Sequence, residues 1–524
     1  MIVALMLLSL ILSAFFGKAN AQVTIGSGIS PREGLVLDMN ADVSNNTGAG
    51  MGLPRAALTD ISVLTLAGDP EQLQGTLVYN TNNDIAGGTG VGVYNWDGLQ
   101  WQTVSQWLRL DTVYVNPANK EDIRVGKYNT LQRAYDMESR KIYNQLAGQA
   151  VVFLCSGGNV GGLMAKGTIA SVTINGNAGT TFDGRLAFNF STARLEGDVN
   201  TNGKIVTINN SFLFLGHASS PLALRAGSLN LEQGMAVASN IDVDMVLTNN
   251  LALDYNSTMV AGIKSLKAKR ILVRRGSILE INEGSLNISN KSQVESVSSF
   301  LLTSSNASDK ATIEGIEASD NSAVDIRIPV ILKNNNKIYE GFNSMNNSTI
   351  KVTAEITVSN HYSTALLAAT GGTLRFSSLT TSGTVAPNQV AYATTGGTVI
   401  HDGGLITATV ATNGFYAANG GSIILNGVEN PHKITAKTGS SNPVGLKVSG
   451  GSSIIEIYNK NSVPTPDVYT FDNFRYGMSV FSGGRIYAGG LVDVSTATAE
   501  SNYPAGTNLG TVLNTGAVIY NISN

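Results

Sequence analysis

A Gly-Gly pair that keeps returning between two short alternating segments is the strongest constraint on this chain. It stands at Gly371-Gly372, Gly396-Gly397, Gly420-Gly421 and Gly450-Gly451, each time after a run such as Ala391-Tyr392-Ala393 and before one such as Thr398-Val399-Ile400. A further copy, Gly483-Gly484, carries the pair one residue later, and a closing copy ends at Thr515-Gly516. The second glycines step by 25, 24, 30, 33 and 32 residues. A fixed motif at such a period means a solenoid, a propeller or another array. Each copy reads strand, tight corner, strand, and glycine supplies the positive φ that a sharp corner demands. A propeller blade needs about 40 residues and a four-stranded meander. Here the period is shorter and variable, with the excess falling in one loop per coil, as in a parallel β-helix. Fainter copies at residues 225–231, 275–281 and 345–352 carry the coils back to about residue 150.

Composition agrees with stacked strands. Only 14% of the 524 residues are charged, against 57 glycines, and recurring Ser, Thr and Asn suit hydrogen-bonded ladders between coils. Such a length would ordinarily mean three or four domains, but a solenoid grows by repeats instead of cores. The 43% hydrophobic content argues against disorder. Lys+Arg 34 against Asp+Glu 37 shows no basic excess, so nucleic acid is not expected as a partner.

The first residues read as an address. Met1 to Phe16 is almost wholly apolar, and Ala19-Asn20-Ala21 offers a cleavage site before Gln22. A signal peptide over residues 1–21 is expected, placing the protein outside the cell or on its surface. No later run is long and apolar enough to span a membrane, so the mature chain carries no transmembrane segment. Cys155, alone in a run of Val, Phe and Leu, reads as a small buried hydrophobe.

Residues 22–107 read as a small β module. Thr76 to Tyr79 and Gly92 to Tyr94 are strands, and Asp97-Gly98 is a hairpin turn flanked by Trp96 and Trp101. Those two rings either pack the hairpin or form a sugar-stacking pair. The succession Leu53-Pro54-Arg55, Gly75-Thr76-Leu77-Val78-Tyr79-Asn80-Thr81 and Val93-Tyr94-Asn95-Trp96-Asp97-Gly98 resembles the head region of secreted surface proteins of Bacteroidetes and of fibre-like proteins of their phages. The resemblance spans about 80 residues and implies a surface or adhesin-like setting.

Residues 108–149 read as a strand and a capping helix. Thr112 to Asn116 is a strand stopped by Pro117, and Leu131, Ala134, Tyr135, Ile142 and Leu146 follow a helical period over about 18 residues. Asn129 with Gln132 is a candidate capping box. With Ala150 to Cys155 as the next strand, this order is similar to the entrance of pectin-lyase-like β-helices, phage tailspikes among them. The resemblance implies a right-handed parallel β-helix over residues 150–524, and the fold class expected is all-β.

Chemistry is sparse. The four histidines are far apart in sequence and carry no metal-binding spacing, so neither metal nor cofactor is expected. Asp242 and Asp244, on one outward face about 7 Å apart, are the candidate acid pair for a glycosidase, or else an exposed polar face. Lys264, Lys267, Lys269, Arg270, Arg274 and Arg275 form a basic cluster suited to an anionic glycan, or a solvated face. Tyr469, Phe471, Phe474 and Tyr476 either line a sugar-stacking patch or cover the C-terminal coils. The leading function is a non-catalytic, adhesin-like surface protein meeting a polysaccharide or cell-surface glycan. The alternatives are a polysaccharide lyase or glycoside hydrolase on the same fold, and a phage-derived tail-fibre-like protein, for which a homotrimer is expected.

Overall fold

A computed structural model describes residues 53–103 and 111–488, with short strands at 23–24, 37–38, 492–493, 511–513 and 518–521. Within the long spans it omits positions 65, 67, 68, 72, 89, 124, 141–149, 168, 170, 218–219, 239–241, 334–339, 360–361, 382–385, 428–431 and 460–468. The expected leader, Ile142 and Leu146 of the expected helix, and the Thr515-Gly516 corner therefore lie outside the described residues. The chain divides into two compact units between Gln106 and Trp107.

The N-terminal unit holds a four-stranded sheet of Arg55–Ala56, Leu77–Asn80, Gly92–Trp96 and Trp101–Thr103. Its first pairing is parallel and the other two are antiparallel. The Asp97 carboxylate accepts from Leu99 N at 2.8 Å and Gln100 N at 2.7 Å, which holds the hairpin turn closed over Gly98. Leu58, Val78, Ile85, Tyr94, Trp96 and Trp101 make the core. Asn80 is buried beside them, accepting from Leu58 N and donating to the carbonyls of Asn82 and Gly90.

The second unit is a right-handed parallel β-solenoid of about fourteen turns. Each coil contributes to three stacks. In one coil, Thr364–Ala369 belongs to the first stack, the early part of Thr373–Thr381 to the second and its later part to the third. Strict register puts like side chains in columns. Ala368, Ala393, Ala417, Val448 and Val480 follow one another along the first stack, and Leu374, Val399, Ile423, Ile455 and Ile486 along the second. All ten are buried. Burying one methylene row per coil in this way is what stabilises a repeat, which cannot bury its apolar face alone.

The tight corner joins the first stack to the second, and its two glycines do different work. Thr370 and Gly371 both have positive φ, 51° and 74°, and so do Thr395 and Gly396, at 51° and 75°. Two consecutive positive φ values give the sharp reversal of a primed turn. Gly372 N and Gly397 N close those turns on Ala369 O and Thr394 O, both at 2.9 Å. The second glycine has ordinary φ. A Cβ on Gly372 would fall 2.2 Å from Ser344 O, and one on Gly397 would fall 2.3 Å from Ala368 O. The pair forms the expected corner, and its second member also lets a neighbouring coil approach.

Two expectations change. The irregular copy is Gly450-Gly451, which follows its strand Val444–Ser449 directly, whereas Gly483-Gly484 keeps the spacing of Gly420-Gly421. The corner there gains one residue, and a Cβ on Gly451 would meet nothing within 4 Å. The faint copy around Gly227 lies between the third stack (Leu222–Ala226) and the first (Ser228–Glu232), at a different bend. Where early coils lack glycine pairs, serine takes the second position. Ser191 N donates to Ser211 Oγ at 3.0 Å, Ser257 N to Ser277 Oγ at 3.2 Å and Ser322 N to Ser348 Oγ at 3.0 Å. These are the expected ladders.

The helix runs over Leu131–Arg140, and its apolar side (Leu131, Ala134, Tyr135, Met137) joins the solenoid core. Its cap is Thr130, whose hydroxyl accepts from Arg133 N at 3.4 Å, not Asn129. Gln132 instead accepts from Met164 N at 2.6 Å, tying the helix to a strand. Thr112–Val115 pairs in register with Ala150–Cys155, so it is itself a rung of the second stack.

The two glycine roles predict unequal costs. Gly396→Ala should destabilise the protein by about 1–2 kcal/mol, the ordinary penalty for a side chain at positive φ. Gly397→Ala should cost clearly more, because carbonyl backbone must move. Equal denaturation midpoints for the two variants would show that the second glycine is dispensable.

Candidate functional site

The candidate acid pair is divided between a turn and a strand. Asp242 lies in an exposed turn, and Asp244 is half-buried on Val243–Leu247 with Val243 and Met245 turned inward. In the third stack Asp244 sits between Ala223 and Ser265, whose hydroxyl donates to its Oδ1. The next carboxylate along that column is Asp198, one rung beyond Ala223. Two rungs make about 10 Å, and Asp198 is paired with Arg225 at 2.6 Å.

The basic cluster is split by the fold. Lys264 and Lys267 are exposed along Thr258–Ala268, near and on the third stack, with Lys269 just beyond. Arg270 begins the first stack, and Arg274 and Arg275 lie at its corner. The three arginines are engaged. Arg270 donates to Gln293 Oε1 at 2.7 Å, Arg274 approaches Glu295 at 3.6 Å, and Arg275 meets Asp254 at 3.1 Å while its guanidinium lies over the Tyr255 ring. Charge on the outer faces mostly links neighbouring rungs in this manner, as in Arg375 to Asp402 and Lys433 to Asp472, both 2.7 Å.

The aromatic patch is core. Tyr469, Phe471 and Phe474 are buried, so no face of theirs is open to a sugar; the expectation of a stacking surface is corrected there. Phe471 packs edge-on to Phe415 and Phe474. Tyr476 is half-buried, with Arg475 over its ring at 5.5 Å. The reason is register: Tyr469 and Phe471 continue the inward column of His432 and Ile434. Trp96 and Trp101 are likewise packed, edge to face at 5.3 Å, donating to Pro70 O and Val63 O. Cys155 is buried, and burial pushes its thiol up to about 12.

What sequence spacing did not reveal is a buried histidine pair. His401 ends a second-stack strand and His432 begins a third-stack strand, one coil on. Their rings meet edge to face at 5.1 Å, and Tyr469 stacks on His432 at 4.2 Å. His401 Nε2 donates to Gly404 O at 2.6 Å, which leaves Nδ1 to accept from the Tyr469 hydroxyl at 2.7 Å. His432 Nδ1 accepts from Ile406 N at 3.2 Å, so its proton sits on Nε2, which has no hydrogen-bond partner. Both rings are therefore neutral. Burial lowers His401 to about 4 and, with His401 nearby, His432 to about 3. The signal that would have found the pair is coil alignment: both residues stand where the strand turns inward at the same bend.

On the outer face of the first stack, Tyr392 and Tyr416 stack at 4.8 Å, and Lys447 covers Tyr416 at 4.7 Å. Rings stacked along the solenoid axis cover one another's faces, which is a poor arrangement for holding a sugar. Among the described residues no group of three or more His, Cys, Asp or Glu is placed to hold a metal, and no helix is long and apolar enough to cross a membrane.

Against known proteins, residues 24–120 match the family described as the phage tail like trimerisation region. The N-terminal part of this chain thus carries a phage tail-like trimerisation region, and the match runs on through the first solenoid strand, Thr112–Val115. No curated protein and no solved structure matches the chain.

The histidine pair predicts acid sensitivity. Both folded values lie below the ordinary 6.5, so as pH falls through 6.5 the unfolded chain binds protons first. Stability present above pH 6.5 should fall by roughly 1.4 kcal/mol per pH unit per ring, until about pH 4 for His401 and about pH 3 for His432. Denaturation midpoints between pH 7.5 and 4.5 measure this, and His432→Phe should flatten the slope by about half.

Proposed function

We propose that this protein is a trimeric, tail-fibre-like structural protein: three chains joined through the N-terminal region, each continued by a solenoid that serves as a rigid shaft. The observation that carries the reading is the match over residues 24–120, which runs into the first strand of a solenoid of about fourteen turns. A long parallel solenoid suits a shaft, because every coil is held to the next along its whole perimeter. The match moves preference from the adhesin-like surface protein to the fibre. The placement of the candidate residues agrees, since Asp244, the three arginines and the buried aromatics are engaged in holding coils together. Export belongs to the same proposal: the apolar leader, cut after Ala21, would deliver the fibre outside the cell, and N-terminal sequencing of exported protein should begin at Gln22.

Sedimentation equilibrium of the full chain tests the assembly. The expected particle has three times the 54.8 kDa chain mass. Trp96→Ala, which opens the core of the N-terminal sheet, should release single chains that keep their strand-type circular dichroism. A wild-type particle of single-chain mass at micromolar concentration would overturn the reading.

A further inference from the structure

One edge of the solenoid exposes several large apolar side chains, with Asn210, Gln233 and Arg275 standing at the corners between them. At the corners between the first and second stacks, Phe190 and Val297 are each 72% exposed and Tyr255 is 48% exposed. Beside them, on the outer face of the second stack, Phe212 (51% exposed) and Ile278 (43%) share one column. Phe214, Val237 and Val260 form the next. Scattered exposed hydrophobics are ordinary on any protein, but several gathered along one edge mark an interaction surface. This one spans six successive corners, about 25 Å along the axis at the usual strand spacing. Arg194, which lies over the Phe214 ring, bounds it at one end, and Glu280 interrupts the Phe214 column before the Asp325–Arg327 pair.

The corner residues sit where local structure disfavours them. Phe190, Tyr255 and Val297 have φ of 54°, 53° and 62°. The position of Val297 is held by Asn256, Gly276, Asn321, Asn347 and Gly371 in other coils, all residues that tolerate positive φ. A β-branched side chain there, pointing to water, is strained and gains nothing in the separated chain. Strain kept at an exposed site points to a role.

We propose that this edge is the line along which the solenoids of three copies of this chain pack, side by side and parallel, in the trimer. The inference rests on the trimeric reading above. The occupant is a second copy because the trimerisation match ends within the solenoid's first coil, so three identical edges start from one joined base. Tethering raises their mutual concentration to the order of millimolar, at which a narrow apolar line suffices. Equivalent lines in parallel copies meet along a three-fold axis without leaving an unpaired surface.

Single cysteines in the full chain test this, since Cys155 is buried and does not compete. Under mild oxidation Val297→Cys should yield a disulfide-linked dimer band. About two of every three chains should be captured, because a three-fold assembly leaves one thiol over. Lys267→Cys, on the third stack, should stay uncrosslinked. Adding Phe212→Glu to Val297→Cys should abolish the band while sedimentation still reports a trimer. If wild type sediments as a trimer but Val297→Cys does not crosslink and takes maleimide as fast as Lys267→Cys, the edge is not the interface and only this inference falls. Equal crosslinking of both sites also overturns it. Single-chain mass for the wild type would instead bring down the trimeric reading, and this inference with it.

Discussion

Everything in the solenoid depends on in-register parallel pairing between one coil and the next. Once Ala393 must lie over Ala368 and Val399 over Leu374, each coil inherits the width of its neighbour. The corner inherits its geometry too. Even its backbone is laddered: Asn347 N bonds to Thr370 O at 3.3 Å and Gly371 N to Thr395 O at 3.2 Å. A coil that turned at a different angle would forfeit these bonds on both sides, and buried amides tolerate that poorly. The corner therefore admits few residues, whereas the other two bends absorb the length variation, as between Asn459 and Tyr469 and between Ala436 and Val444.

That division explains the low charge. Outward columns run the length of the solenoid, so a charge repeated at one position would face its own kind every 4.8 Å or so. The chain answers with uncharged columns, or with pairing across rungs, as in Lys291, whose Nζ reaches Glu317 at 2.9 Å and Glu340 at 3.4 Å on the two coils that follow. Individually such exposed pairs are worth little. Their consequence is organisational: they link one coil to the next.

How much of this was legible in the sequence follows the same line. The Gly-Gly corners announced the solenoid because their demand is local: positive φ at Gly371 or Gly396 is felt by one residue. The close approach at the second glycine was not legible because its constraint comes from another coil, through Ser344 O or Ala368 O. Register explains the errors. Without knowing which residues share a column, Tyr469 and Phe471 look like a surface patch, yet they continue the buried line from His432 and Ile434. The basic residues 264–275 look like a cluster, yet they straddle two bends and lie in different stacks. His401 and His432, remote in sequence, touch. Contacts within a coil were readable; contacts between coils needed the alignment of every insertion.

The same periodic logic gives meaning to the places where a coil breaks the pattern. A solenoid is close to a one-dimensional sum of repeats and their interfaces, so a misfit is confined to its own neighbourhood instead of unfolding the whole. This permits local departures that a single globular core would not tolerate. The buried, half-satisfied His432 is one, tolerated among the best-formed coils. Val297 at an asparagine-or-glycine position is another, and it differs because its side chain points outward. An inward misfit can be explained by packing with Tyr469 and His401 close by. An outward misfit has no such partner within its own coil, so its compensation is sought in a neighbouring chain.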